Sequence, residues 1–350
     1  MSALFDRARD EACAAECAWP RDLRAVIESC SFDPPPWNVV LGPVSDRGAA
    51  SGTVMQDGRS MSAWGPCDRA DMAFSVTKSY IGLLAALALD RGLIADFDEP
   101  VSARIGDEAF ADARNRRVTW RHLLDQTSEW GGTLFGIPHS VDRDRQLAPT
   151  EDGSRMNRAT PLQQPGSYWD YNDTRVNALC LALTLLFGQP LPAILAGLHP
   201  AFADRSRWHW DGYGSRSTIP LNGAAVEIVV GGGHWGGGMV AAVDHHLALG
   251  GIFLGGGQHD GHRAVTPEAL EALLRPCPLQ PVYGGLWWLN DRRRLYPDLP
   301  GDSVLAMGVG ANVIWVCPSL GLVACLRWLR PDAVAPVLGQ LAEAAERGSA

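Results

Sequence analysis

One stretch of the chain, DMAFSVTKSYIGLLAALALDRGLI at residues 71–94, is apolar almost all the way round. A helix with no polar face for solvent must be covered by other elements on every side. The chain has 350 residues, of which 46% are hydrophobic, so it can supply that cover in one large domain or two closely packed ones. The stretch therefore predicts a helix at the centre of a large core.

The two ends of the chain carry the patterns of β-strands. Asp57-Gly58 separates two short strand-like runs, which is the strongest short-range signal for a hairpin. Near the C-terminus, YGGLWWLN, SVLAMGVG, ANVIWVCP and GLVACLRW are β-branched and aromatic, with turn residues between them, and the last three predict an antiparallel meander. The hairpin and the meander can join in one antiparallel sheet around an inserted helical stretch, which is an α+β architecture.

Helices are predicted for much of the remaining chain. They cover residues 1–31 with a break at Pro20, a helix that starts at Ser75, a short helix from Val118, and residues 171–186, 244–254, 267–274 and 331–347. Residues 138–166 are polar and Pro-rich, and we predict a loop there. Residues 208–238 are rich in Trp and Gly and show no clear period.

Composition excludes several classes of partner and cofactor. The net charge of −9 leaves no basic footprint for nucleic acid. The longest apolar run, residues 80–89, is shorter than the roughly 20 residues that cross a bilayer, and the N-terminus lacks the pattern of an export signal. Eight cysteines occur without CxxC or paired Cys/His spacing. We therefore expect a cytoplasmic protein without metal, cofactor, nucleic-acid partner or membrane span.

Ser75 and Lys78 form an S-x-x-K pattern at the start of the apolar helix. Residues three apart share one face of a helix, so the lysine Nζ can reach the serine Oγ. Burial against the core is expected to lower the pKa of Lys78, which would let it take the serine proton. The alternative is an N-capping serine followed by a lysine that extends to solvent. The pattern alone does not decide between the two interpretations.

Four stretches in order, FSVTKS, TWRHLLDQTSEW, YNDTRVNALCLAL and AMGVGANVIWVCPSLGLVACLRW, resemble elements of the serine β-lactamase and penicillin-binding superfamily. The sequence is most similar to its class C β-lactamase-like branch, which includes esterases and nylon-oligomer hydrolases. The resemblance implies a β-lactamase/transpeptidase-like fold, with the sheet flanked by helices. We predict a single domain over residues 1–350, with a sheet-bearing part at about 37–117 and 250–350 and a mostly helical part at about 118–249.

The resemblance also implies roles for individual residues. Ser75 would form an acyl-enzyme, with Lys78 as its base or orienting group and Tyr171 as the proton shuttle. The oxyanion hole would consist of the backbone N–H groups of Ser75 and of Val309, which follows Gly308. The alternative for Tyr171 is an ordinary core tyrosine beside Trp169.

This sequence departs from the family pattern at three points. Asp173 stands where asparagine is usual, and its carboxylate would keep Lys78 charged. This would either shift the role of base toward Tyr171 or make Asp173 part of a Lys–Asp pair. Glu129 replaces a glycine. Ala306 or Met307 occupies the position of a lysine or histidine that normally faces the substrate carboxylate. An apolar edge there favours a neutral ester or amide over an anionic β-lactam or D-alanyl peptide.

A glycine-rich stretch, GGGHWGGGM at residues 231–239, places His234 where it could face the site. We predict it as a candidate substrate-binding residue; a structural histidine is the alternative. The predicted function is a serine hydrolase that cleaves a small-molecule ester or amide. The first alternative is a β-lactamase or D-alanyl-D-alanine peptidase. The second is a catalytically silent binding or regulatory protein of the same fold.

Overall fold

The computed structural model describes residues 2–29, 35–143 and 160–348. Part of the predicted loop at 138–166, residues 144–159, lies outside the described residues, as does Cys30. The helices are α1 (Ser2–Ala14), α2 (Leu23–Glu28), α3 (Thr77–Asp90), α4 (Trp120–Leu124), α5 (Asp173–Phe187), α6 (Leu191–Leu198), α7 (Val243–Leu254), α8 (Pro267–Leu273) and α9 (Pro331–Gly348).

The strands are short, and most of them belong to hairpins. They are β1 (Ser51–Gln56), β2 (Arg59–Trp64), β3 (Asp71–Met72), β4 (Thr133–Leu134), β5 (Ile137–Pro138), β6 (Trp208–Asp211), β7 (Thr218–Leu221), β8 (Ala224–Glu227), β9 (Gly238–Ala241), β10 (Gln258–His259), β11 (His262–Arg263), β12 (Tyr283–Gly284), β13 (Trp287–Leu289), β14 (Val304–Gly308), β15 (Asn312–Cys317) and β16 (Leu322–Arg327).

The main sheet joins the two ends of the chain, which confirms the predicted α+β architecture. Its seven strands lie in the order β12-β13-β14-β15-β16-β1-β2, and every neighbouring pair is antiparallel. Asp57 and Gly58 both have positive φ, at 49° and 74°, which is the backbone of the tight hairpin turn predicted between β1 and β2.

One sequence expectation, for YGGLWWLN, needs correction. YGGLWWLN forms two strands, β12 and β13, because Gly285 and Leu286 both take positive φ and turn the chain back within it. The segment 208–238 contains three strands, β6, β7 and β8, each of only four residues and too short to show a period. Strands β3, β9 and β6 make a small second sheet, which holds the start of α3.

The sheet separates two hydrophobic clusters. On one face, α1 and α9 pack against side chains that include Leu305 and Trp315. On the other face, side chains that include Ala306 and Ile314 pack with α3, α5 and α7. Residues 77–88 of α3 are all buried, as the all-round apolar pattern predicts. Among the described residues, no single helix has the length and composition to cross a bilayer; only α5 and α6 taken together, bent by 69°, meet that test.

A buried histidine joins α3 to α7. The Oη atom of Tyr80 and the Nδ1 atom of His246 lie 2.9 Å apart in the core. Burial, together with the charges of Arg327 and His245, lowers the pKa of His246 to about 3. Since the same group titrates near 6.5 in the unfolded chain, the unfolded state binds one more proton between these two values. The folded state therefore loses stability as the pH falls through this window.

We expect His246 to contribute about 1.4 kcal/mol of destabilisation for each pH unit below 6.5. Urea unfolding of the wild type between pH 7 and 4.5 should show this dependence, which amounts to about 3 kcal/mol. His246→Asn removes the titrating group, so its unfolding free energy should fall less steeply over the same range. Equal slopes in the two proteins would contradict this assignment.

Candidate active site

Ser75 lies in a 3-10 turn, Phe74–Val76, immediately before α3, and not in the α-helix itself. The turn is fixed by the small sheet, because the backbone N–H of Ala73 donates to the Met239 carbonyl at 2.8 Å. The side-chain oxygen of Thr77 accepts from the Met239 N–H at 3.0 Å. Phe74 adopts φ of +46°. This constrained turn leaves Ser75 partly exposed, immediately before a helix of which residues 77–88 are all buried.

Lys78 reaches Ser75 as the spacing predicts. Its Nζ donates to Ser75 Oγ at 2.8 Å and to the Gly231 carbonyl at 3.2 Å. The same Nζ lies 2.7 Å from Oδ1 of Asp173, the first residue of α5. Lys78 is 1% exposed, so it does not extend to solvent.

The pKa of Lys78 differs from the value expected from burial alone. Burial acts to lower the pKa of Lys78, but the charge of Asp173, and after it that of Tyr171, outweighs this effect, so the pKa is raised above its ordinary value. The expected lowering is therefore wrong, and the departure at Asp173 has the effect predicted for it. In the resting site Lys78 is an ammonium ion that donates to Ser75 Oγ.

Tyr171, which immediately precedes the N-cap residue of α5, lies beside this pair. The Lys78 Nζ is 5.1 Å from the centroid of its ring. The ring stacks on Trp288 at 6.2 Å and meets Trp169 and Tyr283 at 6.3 and 6.1 Å. Aromatic neighbours on several sides leave the tyrosine few alternative positions. The structure thus brings all three predicted catalytic residues together.

Asp173 and His234 lie behind Lys78 rather than at a surface that a substrate could reach. Asp173 directs Oδ2 toward Nδ1 of His234 at 3.5 Å, and the His234 Nε2 faces Oδ1 of Asp142 at 3.6 Å. Asp173 and His234 are only 2% and 3% exposed. Asp173 therefore contacts Lys78 and His234, and the burial of both residues does not fit their predicted role in binding substrate.

The glycines around His234 have a steric cause. A Cβ atom on Gly233 would lie 2.5 Å from Asp173 Oδ2, and one on Gly232 would lie 2.2 Å from the Phe74 carbonyl oxygen. Gly232 also has φ of +71°, a conformation that favours glycine. The segment therefore passes directly beneath the Ser75 turn, where side chains have no room.

In the described ranges, Asp142, Asp173 and His234 form a trio whose ligand-type atoms lie within 4.8 Å of one another, as a metal site requires. However, the two nitrogens of the His234 ring face different carboxylates. A single ion can use only one nitrogen of an imidazole, so the two contacts of this ring do not converge on one point. The geometry fits a histidine placed between two acidic groups better than it fits a metal centre.

The end of β14 lies against the Ser75 turn. A Cβ atom on Gly308 would lie 2.6 Å from the Ala73 carbonyl oxygen and 3.1 Å from the Ser75 nitrogen. The absence of a side chain at Gly308 thus allows the strand to approach the nucleophile closely. Val309 follows directly and packs with Phe74. The two backbone N–H groups predicted for the oxyanion hole belong to these adjoining segments.

The side chains before Gly308 point to opposite faces of the sheet. Ala306 is buried on the face of α3, whereas Met307 packs on the face of α1 and α9, where the Tyr296 hydroxyl donates to its Sδ at 3.5 Å. Met307 therefore does not direct its side chain toward Ser75, contrary to its prediction as a substrate-binding residue. The residue on the site face of β14, Ala306, carries no charge.

In the part of the chain that the structure describes, Glu129 belongs to a buried cluster of four charged side chains, which we call the ion quartet. It takes φ of +47°, the left-handed region in which glycine is usual. Its carboxylate pairs with Arg143, and with Arg175 at 3.2 Å. Asp170 completes the quartet, 2.8 Å from Arg175 and 3.5 Å from Arg143. The substitution of glycine thus provides an acidic partner for two buried arginines.

Sequence reasoning did not identify Asp142 or the ion quartet. Asp142 is 31 positions before Asp173 along the chain, and no spacing rule relates the two. Arg175 did offer a signal, because it stands near the start of a helix, α5, whose later residues are apolar, and a buried arginine requires an acidic partner. That signal does not say which carboxylate pairs with it.

Comparisons with known proteins bear on the fold. Residues 44–197 match the family model described as Beta-lactamase. No curated protein sequence matches the chain. A solved family VIII carboxylesterase is 15% identical, with a TM-score of 0.59, and the match covers 95% of this chain and 98% of that one.

Two further solved structures show the same fold. A D-stereospecific amidohydrolase from Streptomyces sp. is 16% identical, with a TM-score of 0.55 and coverage of 93% of this chain and 98% of that one. A β-lactamase from Mycobacterium bovis is 16% identical, with a TM-score of 0.57 and coverage of 85% and 94%. The predicted β-lactamase/transpeptidase-like fold is therefore confirmed, as is the resemblance to the serine β-lactamase and penicillin-binding superfamily.

Proposed function

Because this chain has the fold of the serine β-lactamase and penicillin-binding superfamily, we propose that it is a serine hydrolase that cleaves a neutral ester or amide through an acyl-enzyme on Ser75. The observation that carries the proposal is the position of Lys78 Nζ, 2.8 Å from Ser75 Oγ and 2.7 Å from Asp173 Oδ1. A charged donor at the nucleophile, at the start of a buried helix, stabilises the negative charge that develops on Oγ during attack.

The roles of Lys78 and Tyr171 follow from the charge of the lysine. Lys78 is already protonated, so it cannot accept the proton of Ser75. Tyr171 is the group beside it that can, in its ionised form, take this proton. The Ser75 Oγ then attacks the carbonyl carbon, and the leaving alcohol or amine departs with the proton that Tyr171 returns. The same tyrosine then takes a proton from water, which attacks the acyl carbon. The bond between this carbon and Ser75 Oγ breaks, the acid is released, and the tyrosine returns the proton to Oγ.

The expected substrate is neutral because the site face of β14 offers no cation. A substrate carboxylate buried there without a partner would be unfavourable by several kcal/mol. The carboxylesterase and amidohydrolase among the structural neighbours support a substrate of this class. A β-lactamase or D-alanyl-D-alanine peptidase is the second candidate, favoured by the family-model match and opposed by Ala306.

Two substrates separate these candidates. We expect kcat/KM for a p-nitrophenyl ester of a short fatty acid to exceed that for nitrocefin by at least about thirtyfold, since a missing partner for a buried charge costs roughly 2–5 kcal/mol and 1.4 kcal/mol is a factor of about ten. The measurement is initial rate against substrate concentration for both compounds. Preference for nitrocefin would establish the second candidate. Absence of turnover, together with absence of labelling by a fluorophosphonate, would instead favour a binding protein of this fold.

A further inference from the structure

A series of titratable side chains extends inward from the nucleophile. Lys78 Nζ lies 2.7 Å from Asp173, Asp173 lies 3.5 Å from His234, and His234 lies 3.6 Å from Asp142. All four side chains are at least nine-tenths buried. The first of these side chains is on α3, the second is on the first residue of α5, the third is in the glycine-rich segment, and the last follows β5.

Asp142, the innermost of these side chains, is held in place by hydrogen bonds. Asp142 Oδ1 accepts from the indole N–H of Trp37 at 3.0 Å, and its Oδ2 accepts from the backbone N–H of Asp173 at 2.8 Å. The His234 ring packs against Trp235, with ring centroids 3.9 Å apart. An acidic group that accepts two hydrogen bonds is stabilised in its ionised form. Asp142 is therefore a fixed negative charge beside His234.

The contacts of His234 determine its charge. Each ring nitrogen faces a carboxylate oxygen, and an ionised carboxylate only accepts hydrogen bonds. A neutral imidazole has one N–H and one lone pair, so it would direct the lone pair at one of the two carboxylates. An imidazolium presents an N–H to both. Among the described side chains of this cluster, Lys78 and His234 then carry two positive charges that face the two negative charges of Asp142 and Asp173.

We propose that His234 is a positively charged positioning residue, held in that form by Asp142, that shares the Asp173 carboxylate with Lys78. Asp173 then neutralises Lys78 only in part, and the Lys78 Nζ stays directed at Ser75 Oγ. Without the charge on His234, the attraction of the Asp173 carboxylate for the Lys78 ammonium is stronger and draws Nζ away from the nucleophile. The consequence for catalysis rests on the proposed function; the charge of His234 does not.

The kinetic test is a double-mutant cycle. His234→Asn should lower kcat for the p-nitrophenyl ester by roughly tenfold, within the range of coupling between contacting residues, and leave KM nearly unchanged. In the Asp173→Asn background, the same substitution should lower kcat by less than about twofold, since its effect passes through Asp173. Equal losses in both backgrounds would overturn the proposal.

The matched control is His246→Asn. It also removes a buried histidine, but one on α7 that does not contact Lys78 or Asp173. We expect it to lower the melting temperature and to leave kcat within about twofold of the wild type. A loss of kcat equal to that of His234→Asn would attribute both effects to general destabilisation and would contradict a positioning role.

The charge is tested without any substrate. In protein labelled with 15N-histidine, the signal of His234 is identified by its loss in His234→Asn. We expect its two ring nitrogens to have imidazolium shifts at pH 7.5 in the wild type and neutral shifts in Asp142→Asn. A neutral ring in the wild type would overturn the proposal. If the protein cleaves no ester or amide, the proposed function fails, while this spectrum still decides the charge of His234.

Discussion

Ser75→Ala is expected to reduce turnover of the p-nitrophenyl ester by at least about 10⁴-fold, because the variant has no atom that can form the acyl-enzyme. The side chain is small and partly exposed, so the melting temperature should change little. The measurement is kcat/KM for wild type and variant, alongside mass spectrometry of the wild type after reaction with a fluorophosphonate. The adduct should lie on the peptide that contains Ser75.

Ser79→Ala is the matched control for this prediction. Ser79 lies one turn further along α3, is buried, and donates its hydroxyl to the Leu286 carbonyl at 3.0 Å. Its loss should lower the unfolding free energy by about 1 kcal/mol and leave both labelling and turnover in place. An adduct on any serine other than Ser75 would contradict the assignment of the nucleophile.

Lys78→Ala and Tyr171→Phe should each lower kcat by roughly 10³-fold, and the double variant should lose little more than either alone. The two side chains serve one proton transfer, and residues that act as one unit show strongly non-additive losses. The measurement is kcat for the four proteins of the cycle at one pH. Tyr283→Phe, which removes a hydroxyl from the neighbouring ring, should stay within a few-fold of the wild type.

Losses that multiply in the double variant would show that Lys78 and Tyr171 act in separate steps. A small loss in Tyr171→Phe with a large loss in Lys78→Ala would assign the role of base to the lysine. In that case the lysine would have to give up its proton to Asp173 when substrate binds, and the mechanism proposed from its raised pKa would be wrong.

Local patterns in the sequence were sufficient to predict the main features of the fold. The Asp57-Gly58 turn predicted β1 and β2, and the C-terminal strand patterns predicted β14, β15 and β16. The spacing of Ser75 and Lys78 predicted their contact, since it depends on helix geometry alone. The position of Tyr171 beside them came only from the family resemblance.

Features that depend on contacts between distant segments were not predicted. The pKa of Lys78 is decided by Asp173, on another helix, and burial of the lysine alone gives the opposite direction. The side of the sheet to which Met307 points depends on the register of β14. Asp142 and His234 are 92 positions apart in the chain, and no periodic pattern indicates that they meet. Tertiary packing supplies these relations, and a single sequence does not state them.

The ion quartet also joins two parts of the chain that are separate in sequence. Besides its pairing with Glu129, Arg143 donates to the Thr160 side chain at 3.2 Å and the Pro161 carbonyl at 3.4 Å. Arg143 thus holds the segment that begins at Thr160 beside Glu129, and its replacement would release these contacts together. The Ser75 turn and Lys78 are held instead by the small sheet and by Asp173.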